Sequence, residues 1–170
     1  MGIDLSIIWF VIIVFATLMY IVMDGFDLGI GILFPATPDA DDRDVMVNSG
    51  APVWDGNETW LVLGGAALFG AFPLAYAVII DALTIPLTLM LIGLIFRGVA
   101  FEFRFKATPA HRPFWDTAFI GGSILATFTQ GMTVGAVING FSVNGRAYSG
   151  VPVDCLTVFN LFFGAGLAEA

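Results

Sequence analysis

Polar and apolar positions fall in long blocks along this chain. Residues 5–23 carry no charge, and the apolar run resumes around Asp24 and Asp27 as far as Phe34. Residues 59–80 and 82–96 are again uncharged, as are residues 117–145, and a last uncharged stretch covers 156–168. A bilayer core about 30 Å thick needs roughly 20 apolar helical residues. The blocks predict four complete transmembrane helices and the start of a fifth, because thirteen residues are too few to cross. The expected architecture is all-α, a polytopic transmembrane helical bundle. Residues 1–145 would hold the four complete helices, and residues 146–170 a loop with the truncated start of the fifth, as in a fragment of a longer protein. Helices two and three are separated only by Asp81, Pro73 and Pro86. Proline ends helices by removing a donor and clashing with the preceding turn, which places helix two near 53–73 and helix three near 78–101. The start Met1-Gly2-Ile3-Asp4 lacks the positive region of a signal peptide, and nineteen apolar residues exceed the usual core of about 7–15, so the first segment is read as a helix.

Composition agrees with this reading. The 170 residues are 58% hydrophobic and 12% charged, with mean hydropathy +0.93, against about 25% charged in an ordinary soluble domain. A net charge of −8 argues against nucleic-acid binding, which needs a basic surface. One cysteine, Cys155, cannot close an internal disulfide and reads as a small apolar filler. His111, the single histidine, falls between Pro109 and Pro113 and reads as a solvated loop residue. Lys and Arg cluster in the first loop (Arg43) and the third (Arg97, Arg104, Lys106, Arg112), with only Arg146 opposite. That asymmetry puts loops 35–52 and 97–116 in the cytoplasm and the amino terminus outside.

Carboxylates inside lipid are costly, about 3 kcal/mol each on insertion scales, and mark functional sites by default. Asp24 and Asp27 share one face of helix one, beside Gly25 and Gly29, a small-residue pair suited to close helix packing. Asp55 and Glu58 repeat the spacing at the start of helix two. All four acids are expected at similar depth, with Arg97 the nearest basic partner. Asp55 could instead cap its helix, and Arg97 could instead snorkel to the interface. The alternation Phe101-Glu102-Phe103-Arg104-Phe105-Lys106 suits a helix end whose rings sit at the headgroups. No phosphate loop, nucleophile triad or Cys/His metal spacing occurs, and a haem held by this chain alone is not expected, because haem iron needs axial ligands and the only histidine lies in a loop. Composition and pattern reach a membrane subunit with buried carboxylates.

Four strings in register go further. Asp24-Gly25-Phe26-Asp27-Leu28-Gly29-Ile30-Gly31, Trp54-Asp55-Gly56-Asn57-Glu58-Thr59-Trp60, Gly70-Ala71-Phe72-Pro73-Leu74-Ala75-Tyr76 and Arg97-Gly98-Val99-Ala100-Phe101-Glu102-Phe103-Arg104 follow one another. With Trp115-Asp116, Gln130-Gly131 and Asp154-Cys155-Leu156-Thr157, the chain resembles the amino-terminal half of subunit II of the cytochrome bd-type ubiquinol oxidases, including the cyanide-insensitive branch. The resemblance implies a bacterial cytoplasmic (inner) membrane protein of the respiratory chain, with residues 1–145 as a first four-helix transmembrane repeat and residues 146–170 as an outer loop and the truncated start of a second. It would be paired as a heterodimer with a haem-bearing subunit I and surrounded by lipid. Haem b, haem d and the quinol site would belong to that partner, with quinone as the product of the complex. It also implies that Asp24 and Asp55 match acids of a cytoplasmic proton-uptake path and that Arg97 matches a buried basic position. Glu58 falls where the family also admits Gln. The rival readings are a secondary transporter or ion channel whose acids bind a coupling cation, and a purely structural subunit whose acids fix helix packing.

Overall fold

The computed structural model describes residues 4–169. Met1-Gly2-Ile3, used above for the amino-terminal tail, and Ala170 lie outside the described residues. Seven α-helices account for nearly all of the rest. α1 (Leu5–Leu33) starts at Asp4, whose carboxylate accepts from the Ser6 amide at 3.0 Å. A 3-10 turn, Phe34–Ala36, breaks it at Pro35. α2 (Ala40–Gly50) is capped by Asp39 in the same way, through the Asp41 amide at 2.8 Å. Helical structure thus fills much of what the sequence reads as the first loop.

α3 (Trp54–Ala71) ends just before Pro73, as expected. Helix three differs from expectation. It is two helices, α4 (Pro73–Ala82) and α5 (Thr84–Lys106). The break falls at Leu83, and the Thr84 hydroxyl donates to the Ile80 carbonyl at 2.7 Å across the junction. Pro86 does not end a helix; it lies in the first turn of α5, where a missing donor costs nothing. α5 also runs on to Lys106, past the expected end near 101, so Arg104 joins Arg97 in the helix and the expected loop 97–116 shrinks to residues 107–111. α6 (Arg112–Asn139) stops at Gly140, whose φ of +78° a side chain would resist. A two-residue-per-strand hairpin follows, β1 (Val143–Asn144) against β2 (Ala147–Tyr148), turning at Gly145. α7 (Val158–Glu169) closes the described chain.

α1 packs against α3 and α6, and α6 against α5 and α7. The outer face of α1 is apolar and exposed along its length. Among the described residues, two helical segments are long and apolar enough to cross a membrane, Leu5–Ala36 and Thr84–Lys106. The four complete spans expected from the sequence are therefore not established. α3 carries Asp55, Asn57 and Glu58 in its first turns, and α6 carries Arg112, Asp116 and a run of hydroxyl and amide residues.

The closest helix contacts are backbone to backbone. A Cβ on Gly122 of α6 would lie 2.5 Å from the Gly93 carbonyl oxygen of α5 and 2.9 Å from the Arg97 amide nitrogen. Gly131 and Gly164 bring α6 and α7 together likewise. Gly25 and Gly29 do not serve this purpose within the chain, contrary to expectation: nothing lies within 4 Å of a Cβ at either. They line an open groove with Thr127, Gln130 and Leu167. The α1 glycine in close contact is Gly31, against Ser123.

Candidate functional site: a buried acid–arginine cluster

Asp24 is the twentieth residue of the twenty-nine in α1, well inside the helix. Arg97 stands nine residues before the end of α5. Their side chains are 1% and 0% exposed, and Arg97 Nη2 donates to Asp24 Oδ1 at 2.6 Å. The same nitrogen donates to Glu58 Oε1 on α3; Glu58 keeps 22% of its side chain exposed. One guanidinium thus ties three helices together. Burying two charges is costly, and such a pair persists where geometry and extra hydrogen bonds compensate. Arg97 does not snorkel to the interface.

Asp27, fully buried one turn along α1, is held separately. Asn57 Nδ2 donates to Asp27 Oδ2 at 2.7 Å and to the Met23 carbonyl at 3.2 Å. The closing residue of α2, Gly50, covers it: a Cβ there would meet Asp27 Oδ1 at 3.1 Å. Four buried side-chain atoms have no hydrogen-bond partner among the described residues: Asp24 Oδ2, Asp27 Oδ1, Arg97 Nε and Arg97 Nη1.

Two of the four expected acids, Asp24 and Glu58, therefore meet on Arg97, and Asp27 is buried one turn away under its own donor. Asp55, one turn before Glu58, is exposed and makes no cap bond to α3. It lines a groove between α3 and α5, about 510 Å³, with Glu58, Glu102 and otherwise mostly apolar residues. The groove connects Glu58, and through it Arg97, to the molecular surface.

A second ionic cluster was hidden in the third loop. Arg104, 2% exposed, donates from Nη1 to Asp44 on α2 and from Nε to Asp116 on α6, each at 2.5 Å. Arg43 reaches Asp116 at 3.6 Å and Arg112 reaches Asp44 at 3.5 Å. The guanidiniums of Arg43 and Arg104 lie 5.1 and 5.4 Å from the centre of the Phe34 ring. Phe101 is also inside, stacked on Trp54 at 5.5 Å. The expected interfacial alternation holds only for Glu102, Phe103, Phe105 and Lys106, which are exposed. Helical geometry sends every third or fourth residue inward, and a strict alternation cannot survive it.

Sequence reasoning missed Asn57, Tyr20 and Gln130. Tyr20 is 5% exposed and stands one turn before Asp24; Gln130 Nε2 donates to its hydroxyl at 2.6 Å. The available signal was spacing, since Tyr20 precedes Asp24 by four residues and Asn57 lies between Asp55 and Glu58. His111 is exposed and shares a hydrogen bond with Thr108 at 2.8 Å. Cys155 is a buried thiol packed with Leu83 and Ala136, as its reading as a filler requires. Among the described residues, no group of three or more His, Cys, Asp or Glu is placed to hold a metal ion.

Comparison with known proteins gives the cluster a context. The family model for cytochrome bd terminal oxidase subunit II matches residues 5–169. A probable cytochrome oxidase subunit 2 from Haemophilus influenzae is 34% identical over 167 residues, covering 94% of this chain and 44% of the relative. The cytochrome bd-I ubiquinol oxidase subunit 2 of Escherichia coli is 35% identical over 147 residues, 85% of this chain and 38% of the relative. The cytochrome bd ubiquinol oxidase subunit 2 of Bacillus subtilis is 33% identical over 162 residues, 92% and 47% respectively. The chain spans less than half the length of these curated relatives. With its motifs matched from the start of α1 into α7, the chain belongs to the cytochrome bd terminal oxidase subunit II family.

Proposed function

We propose that this chain is the amino-terminal part of the haem-free subunit of a membrane quinol oxidase, which oxidises quinol and reduces O₂ to water. It scaffolds a haem-bearing partner subunit and forms one wall of a cytoplasmic proton-uptake path. The observation that carries the reading is the Asp24–Arg97–Glu58 bridge, buried at one end and open to a groove at the other. Reduction of O₂ consumes one proton per electron, and hydrocarbon conducts none. Carboxylates held inside a helical bundle supply stepping points, because the surrounding charges determine how readily each takes and releases a proton.

The residues divide the work. Asp55 and Glu58 face the groove and meet incoming protons first. Arg97 holds Asp24 and Glu58 a few ångströms apart, close enough for a water-assisted transfer. Asn57 fixes Asp27 beside them. Haem is assigned to the partner subunit, as the family resemblance implies; in this chain the single histidine, His111, is exposed, and the Tyr20 hydroxyl is engaged by Gln130.

α1, α3, α5 and α6 all cross the bilayer in this reading, with inward-facing polar residues lowering the apolar character of α3 and α6. The end bearing Arg43, Arg104, Lys106 and Arg112 faces the cytoplasm. The hairpin with Arg146 and the amino terminus face outside. Residues 1–145 form the first repeat, and residues 146–170 lead into a second.

Asp55→Asn in the assembled oxidase tests the reading. Quinol-dependent O₂ consumption slows while the haem absorption spectrum is unchanged. Full turnover in an assembled Asp55→Asn enzyme would remove Asp55 from the path. A preparation carrying no haem, but taking up a solute, would replace the oxidase reading by the transporter.

A further inference from the structure

Asp24 has two carboxylate oxygens, and Arg97 engages one of them. The other, Oδ2, is buried and lacks a partner among the described residues. Nearby, one hydroxyl proton is also unaccounted for. Tyr20 Oη accepts from Gln130 Nε2 at 2.6 Å, so Gln130 is the donor in that bond and the tyrosine keeps its own proton to give. Tyr20 is four residues before Asp24 on the same face of α1 and couples to it electrostatically. A buried hydroxyl with an unused proton and a buried carboxylate oxygen with an unused lone pair, one turn apart, each remain costly until they meet.

We propose that Tyr20 is a positioning residue for Asp24, its hydroxyl aimed at the carboxylate by Gln130. The assignment rests on the proton-path reading of the cluster. Gln130 reaches in from α6, and its own edge lines the groove that holds Gly25 and Gly29. A donor at Gln130 leaves the tyrosine proton pointing to Asp24, whereas an acceptor there would draw that proton away. Asp24 would then be gripped from two sides, by Arg97 from α5 and by Tyr20 from its own helix. That fixes its rotamer relative to Glu58, the geometry on which transfer between the two carboxyl groups depends.

The test uses the complete oxidase and two variants acting on the same bond. Tyr20→Phe deletes the hydroxyl and keeps the ring; Gln130→Glu turns the donor into an acceptor. Each is expected to lower kcat about tenfold, the scale of one hydrogen bond to a charged group. The KM for quinol stays unchanged and the solvent deuterium isotope effect on turnover rises, a change that lost packing would not produce. The double variant is no slower than either single one. Asp24→Asn and Glu58→Gln serve as references. If a reference variant slows turnover while assembled Tyr20→Phe oxidase keeps its kcat and isotope effect, the positioning role is overturned and the proton path stands. If both references run at full rate, the path itself fails, and the role of Tyr20 fails with it. Should Gln130→Glu not assemble, Tyr20→Phe decides alone.

Discussion

Replacing Arg97 by leucine would remove the cation and leave two carboxylates facing each other. Arg97 is wholly buried, and its Nη2 binds Asp24, itself 1% exposed, as well as Glu58. Breaking a buried ion pair from one side costs about 3–5 kcal/mol, because the remaining charge is left without compensation. At about 1.4 kcal/mol per factor of ten, that is a loss of roughly a hundredfold to a few thousandfold in the folded population. Most of the penalty belongs to the abandoned acids, so neutralising them should return it. Arg97→Leu combined with Asp24→Asn and Glu58→Gln is expected to regain most of the lost stability. Arg97→Lys should fall between, since one ammonium replaces a guanidinium fork. The assay is the fraction of full-length protein that stays monodisperse in detergent after heating, read by size-exclusion chromatography over a temperature series. An Arg97→Leu protein as heat-resistant as the parent would refute the reasoning. So would a triple variant no better than the single one, which would show that packing around Arg97, and not charge, carries the stability.

Other outcomes follow from the same geometry. Gly122→Ala would push a methyl into the α5 backbone, 2.5 Å from the Gly93 carbonyl oxygen. It should cost about 1–3 kcal/mol, seen as a lower thermal midpoint in detergent. Arg104→Gln releases Asp44 and Asp116, which are 29% and 17% exposed; with that much solvent screening the loss is nearer about 2 kcal/mol than the full buried-pair figure. Limited proteolysis should then cut within residues 37–53, where the parent resists. Beyond the hairpin's second strand, the Tyr148 hydroxyl donates to Asp154 at 3.1 Å. Lost hydration and then the Asp154 carboxylate push its pKa above the usual 10.0. Any stability from this contact is present below pH 10 and declines as pH rises beyond it, where the unfolded tyrosine ionises first. Ultraviolet titration of tyrosinate should show one midpoint falling in Asp154→Asn, and no change there would disprove the coupling.

Asp24 and Asp27 were legible because a carboxylate in an apolar run is conspicuous: nothing in lipid solvates it. Arg97 was legible as a partner, while its depth was not, because helix three was ended too early and its charged tail read as loop. The structure continues α5 by about one and a half turns, and Arg104 finds its acids on α2 and α6, elements that no local pattern joins. The break at Leu83 has no proline at the break itself; Pro86 marks the first turn of the helix that follows, a signal the sequence reading took as interrupting one helix and not as opening another. Tyr20, Asn57 and Gln130 escaped for another reason. Their apolar-to-polar cost is modest, and they show their value only once folding has put a donor beside an acceptor. Gly25 and Gly29 illustrate the converse: the spacing was right for close packing, yet α6 meets α1 at Gly31.

The near-contact of α5 and α6 also gives the Arg97 side chain its heading. A Cβ on Gly122 would come within 3.3 Å of the arginine's own Cβ, so the two backbones leave no corridor between them for a long side chain. The guanidinium has to swing the other way, toward α1 and α3. A methyl group left out at Gly122 thus lets the α5 backbone at Arg97 rest on α6, and the cation's direction follows from that seam.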